Sequence, residues 1–156
     1  MRFGDLPDSR LTVRPLLPNR RIACAAPAYL ARAGHPGQPS DLAAHACIVI
    51  RESDETYGSW HFQRDGRQET VKVRGMLSTN DGSTATGWAL DGHGILLRSS
   101  WEIEPLLASG QLQAVLPDWS LPPAAVKLVY PTRDQLSATM RALSDFLADW
   151  FRQGVR

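Results

Sequence analysis

The chain has 156 residues and is 43% apolar, enough for one compact domain or for two small lobes sharing a core. Seventeen Lys and Arg stand against sixteen Asp and Glu, so no net field draws it to phosphate backbones or anionic membranes. The opening MRFGDLPDS has neither the apolar stretch nor the cleavage site of a secretory signal, and no run reaches ~18 consecutive apolar residues, so a cytoplasmic chain with no membrane role is expected.

In chain order, LTVRPLL (11–17) and RIACAA (21–26) read as β, either a pair of strands or one bent strand turning at Pro18-Asn19. Pro27 suits the first turn of a short helix, PAYLARAG, that Gly34 ends, and Ser40 is the expected N-cap of a second, SDLAAH. ACIVI (46–50) is a continuous, β-branched run, as in a strand buried on both faces. Trp60 and Phe62, then Val71 and Val73, alternate with polar residues around Asp65-Gly66, which predicts a hairpin with one apolar face. MLSTND leads into a helix that Asn80 or Asp81 caps and Gly92 closes, followed by the strand GILL (94–97). Ser99 or Ser100 caps the next helix, WEIEPLLASG, ended by Gly110; QLQAVL and AAVKLVY read as strands. From Ser137 the last helix places Met140, Leu143, Leu147 and Trp150 on one stripe beside Phe146, a face expected to dock on a sheet. Such alternation implies an α/β fold with a mainly parallel sheet, interrupted by one antiparallel hairpin.

Few residues carry chemistry. Gly82-Ser83-Thr84-Ala85-Thr86-Gly87 lacks the spacing of a nucleophile elbow, so a hydrolase is not expected. His35, His45, His61 and His93 are scattered and no Cys-x-x-Cys exists, so no metal is expected. Neither a dinucleotide fingerprint nor a phosphate-binding loop appears, and no cofactor is expected. Cys24 and Cys47 sit in apolar surroundings and read as buried thiols. Two polar sites remain. Ser78 to Ser83 opens a helix, where the macrodipole favours an anion, although Asn80 and Asp81 there also suit simple capping. Arg98-Ser99-Ser100 follows the strand GILL, at the end of an open sheet where ligands bind.

Several stretches in fixed order, among them NDGSTATGWALDGHGILLRSSWEI, LASGQLQAVLPDW and LVYPTRDQLSATMRALSDFLADWF, resemble the effector-binding domain of LysR-type transcriptional regulators. The likeness extends to the branch in which Gly94, Ile95, Leu97, Arg98, Ser99 and Trp101 form a Gly-Ile-x-Leu-Arg-Ser-x-Trp pattern. The resemblance implies a two-lobe α/β fold similar to type 2 periplasmic binding proteins, with the second lobe (about 18–120) complete and the first (1–17 and 121–156) partial. It implies a small organic, anionic effector held between the lobes by Arg2, Phe3, Thr79, Asn80, Asp81, Arg98 and Ser99, with Gly4 beside the first two. It further implies DNA binding through a helix-turn-helix absent from this chain, an oligomeric parent, and an N-terminally truncated sequence that exposes the docking face of its last helix. A periplasmic-type solute-binding protein and a stand-alone interaction module are the alternatives.

Overall fold

Residues 11–51, 58–131 and 137–152 are described by a computed structural model. The chain divides into two units, one spanning Arg21–Pro122 and the other formed by its two ends, Met1–Arg20 with Pro123–Arg156.

Alternation of side chains builds the central sheet of the Arg21–Pro122 unit. Five strands lie in the order β6 (Ser78–Thr79), β3 (Cys47–Ile50), β7 (Ile95–Ser99), β2 (Arg21–Ala25), β8 (Gln113–Ala114). β3 pairs parallel with both β6 and β7, whereas β2 runs antiparallel to β7 and β8. Four strands therefore point one way and β2 alone opposes them. The expected antiparallel hairpin, β4 (Ser59–Arg64) and β5 (Arg67–Lys72), forms its own two-stranded sheet instead. Its two-residue turn has positive φ at both Asp65 and Gly66, the geometry that matches strand twist.

Because successive strand residues face opposite ways, the sheet has two apolar layers. Ala23, Ala25, Cys47, Val49 and Ile95 face Tyr29 and Leu30 of α1 (Pro27–Ala33), Leu42, and the apolar side of the hairpin, Trp60, Phe62, Val71 and Val73. Cys24, Ile48 and Leu96 face Ala85 and Ala89 of α2 (Gly82–Leu90) and Ile103 of α3 (Ser100–Ala108). Pro27 opens α1 and Gly34, at positive φ, follows it, as the sequence indicates. The second short helix differs from expectation. It is a 3-10 helix, Pro39–Ala44, whose N-cap is Gln38 and not Ser40. Pro39 occupies the first position, where a missing N–H is harmless, and Asp41 reaches back to accept from the amides of Gly37 and Gln38 at 2.9 and 3.0 Å.

In the unit formed by the chain ends, β1 (Leu11–Leu17) pairs antiparallel with β9 (Val126–Pro131), the register slipping after Pro15. Residues 11–17 and 21–25 are thus two strands in different sheets. Ser137 caps α4 (Ala138–Arg152), accepting from the Met140 amide at 3.3 Å. The stripe expected to dock does so only through Leu147. Met140, Leu143, Phe146 and Trp150 are 43–63% exposed, while Ser144 and Ala148 are buried and Leu147 and Phe151 pack with Leu16, Leu17, Val126 and Leu128. Small residues let the helix approach the ribbon closely, and Arg14 fixes it by donating to Ser144 Oγ at 3.0 Å and to Asp145 Oδ1 at 2.6 Å.

Candidate functional site

Parallel strands β3, β6 and β7 end at one edge of the sheet, and the first turns of α2 and α3 start there. The segment entering this edge is held against β3 by backbone bonds from Cys47, Val49 and Arg51 amides to the carbonyls of Arg74, Leu77 and Thr79, at 3.0, 3.2 and 2.8 Å. Thr79 accepts the Asp81 amide on Oγ1 at 3.0 Å, which turns the chain at the exposed Asn80. Between the two candidate caps, Asp81 is the one used: its carboxylate accepts from the Thr84 amide at 2.7 Å. Hydrogen bonds from the Thr84 hydroxyl and amide, helped by the charge of Arg98, hold the Asp81 carboxyl below its ordinary value. The negative charge favoured at this helix start is therefore supplied in part by the protein itself.

Arg98 lies opposite Ile22 in the β2–β7 register and projects to the α2–α3 side of the sheet, the side of Leu96. Its guanidinium lies against the backbone of Gly82, where a side chain would collide with it. Its Nε sits 2.6 Å from Glu102 Oε2 in the first turn of α3. Ser99 is the N-cap of α3 without a side-chain capping bond, and strand alternation puts it on the face of Ile95 and Leu97, away from Arg98. Thr79, Asn80, Asp81 and Arg98 thus converge on one edge, and Ser99 flanks it. Arg2, Phe3 and Gly4 lie outside the described residues.

Three participants escaped the sequence reading. Glu102 is signalled by its four-residue spacing from Arg98, but that spacing spans a strand end and a helix start, where helical pair rules do not apply. Arg51, donating to Ser78 Oγ at 3.0 Å, and Gly82 carried no signal beyond residue type. Cys24 and Cys47 are buried, as their surroundings suggest, and burial pushes both thiols up to about 12. Among the described residues no group of three or more His, Cys, Asp or Glu could hold a metal ion. No helix among them is long and apolar enough to cross a membrane.

The edge gathers parallel strand ends, two helix N-termini and Arg98, the setting in which open α/β sheets hold ligands. The model of the LysR substrate binding domain matches residues 1–152. The chain belongs to this family, whose regulatory domains have the two-lobe fold of type 2 periplasmic binding proteins. It is 40% identical over 153 residues to the HTH-type transcriptional regulator DmlR of Escherichia coli K12, covering 98% of this chain and 50% of that protein. It is 41% identical to the HTH-type transcriptional activator TtdR of Escherichia coli UTI89, covering 98% and 49%. The structure of CrgA, a LysR-type transcriptional regulator from Neisseria meningitidis, superposes with a TM-score of 0.80 at 27% identity, over 95% of this chain and 50% of that one. The chain spans about half the length of the curated relatives it matches. Those relatives are transcriptional regulators, not enzymes.

Proposed function

We propose that this chain is the effector-sensing domain of a LysR-type transcriptional regulator. It binds a small organic anion, and its two lobes are about 18–120 and 1–17 with 121–156. Binding is coupled to DNA through a helix-turn-helix outside this chain, in a cytoplasmic homo-oligomer. The observation that carries the reading is the family match along residues 1–152, in a fold that brings Thr79, Asn80, Asp81 and Arg98 to one sheet edge beside two helix N-termini. In this reading Arg98 and the α2 amides of Gly82 and Ser83, which helix geometry leaves without intrahelical acceptors, attract the anion. Asn80 orients it, Ser99 lines the margin, and Arg2 and Phe3 are proposed as further ligand contacts.

A thermal-shift screen of small organic acids against this chain joined to the remaining half of a regulator tests the proposal. A stabilising acid whose shift disappears in Arg98→Ala and shrinks in Asn80→Ala is the expected result. Shifts that survive both substitutions would place the ligand elsewhere and overturn the site.

A further inference from the structure

Arg98 and Glu102 form a close ion pair at this edge. Nε and Oε2 are 2.6 Å apart and both are shut off from solvent, yet the approach lacks the alignment of a hydrogen bond. The two opposite charges compensate one another, and both side chains keep some exposure, 17% and 29%. The guanidinium cannot easily retreat toward α2, because it already rests on the backbone of Gly82. It is wedged between the first turns of α2 and α3, the positive ends of both helix dipoles, where a cation is disfavoured and an anion welcome. Asp81 is engaged with Thr84 as the cap of α2, which leaves Glu102 as the carboxylate set directly against Arg98 Nε.

We propose that Glu102 is an internal competitor for the effector: it holds on Arg98 the place that a ligand carboxylate takes, and binding exchanges one carboxylate for the other. This rests on the effector-site reading above and narrows the ligand to small molecules carrying a carboxylate, whose two oxygens match the guanidinium fork. The exchange frees the first turn of α3 from the end of β7. Gly82 is the positioning residue that keeps the guanidinium within reach of both helix starts. Effector affinity is therefore set by the strength of the Arg98–Glu102 contact as well as by the ligand.

Succinate titrations of the full chain, followed by NMR at the Gly82 and Ser83 amides and at Arg98 Nε–H, test this. Glu102→Gln keeps the shape and removes the competing charge, and should tighten succinate by about tenfold, as expected for the loss of one charged contact. Glu102→Asp, which keeps the charge but shortens the reach, should tighten it by less. Arg98→Lys, which loses the fork, should weaken it by at least about tenfold. Unchanged affinity in both Glu102 variants, with weakening in Arg98→Lys, would overturn the competition while leaving the site in place. No perturbation at this edge in any of the proteins would overturn the competition and the site together.

Discussion

Gly75 carries the sharpest stability prediction, because it governs how the chain enters the site. A Cβ at this position would fall on the carbonyl oxygen of Cys47 and within 2.8 Å of the carbonyl carbon, whereas real Cβ atoms essentially never approach a heavy atom below 3.0 Å. In Gly75→Ala the 74–79 segment must therefore withdraw from β3 by more than an ångström. That lengthens the Cys47 N–H to Arg74 and Val49 N–H to Leu77 bonds, now 3.0 and 3.2 Å, beyond useful range. Two lost bonds at ~0.5–1.5 kcal/mol each, plus ~1 kcal/mol or more for leaving the buried Cys47 amide without an acceptor, give a loss of about 2–4 kcal/mol. Urea unfolding measures the total, and amide hydrogen exchange at Cys47 and Val49 reports the cause. Gly87→Ala is the control: it sits inside α2 with nothing within 4 Å of the added carbon, and should be neutral or stabilising by up to ~1 kcal/mol. Gly75→Ala within 1 kcal/mol of the parent, with Cys47 still protected, would refute the reasoning.

Two further outcomes follow from burial. Cys24 and Cys47 should resist a disulfide exchange reagent in the native chain and react together on unfolding; since burial raises both from 9.0 to about 12, their contribution to stability is complete below pH 9 and is lost as pH rises toward about 12, which unfolding midpoints across that range will show. On α4, replacing the exposed Phe146 and Trp150 by Ser should lower self-association in sedimentation while leaving the unfolding midpoint nearly unchanged, whereas Leu147→Ala, which removes part of the packing on Leu16 and Val126, should cost about 1–2 kcal/mol.

Much of the fold was legible in the residues themselves. Pro27, Gly34, Asp65-Gly66 and the alternation of Trp60 and Phe62 with Val71 and Val73 each encode a local geometry, and each element formed where its chemistry indicated. Strand direction was less accessible. Nothing in RIACA says that β2 opposes the four other strands, because direction is decided by where the preceding segment enters from, not by the strand's own side chains. The site was half legible for a similar reason: Asp81 and Arg98 announce themselves by type and position, but Gly82 and Glu102 matter only because Arg98 lies across them.

α4 shows most clearly where pattern reasoning stops. Its apolar residues recur at helical spacing, and periodicity correctly identifies a helix with one strongly apolar side. Periodicity does not say which longitude of that side meets a given neighbour. Against the narrow β1–β9 ribbon the seam runs through Ser144 and Ala148, because small side chains and the Arg14 contacts permit close approach that Phe146 and Trp150 would prevent. The bulky stripe is left outward as a consequence of that choice. A helix reads its partner by shape as well as by hydrophobicity, and enlarging Ala148 should therefore disturb this unit more than truncating the larger, exposed Trp150.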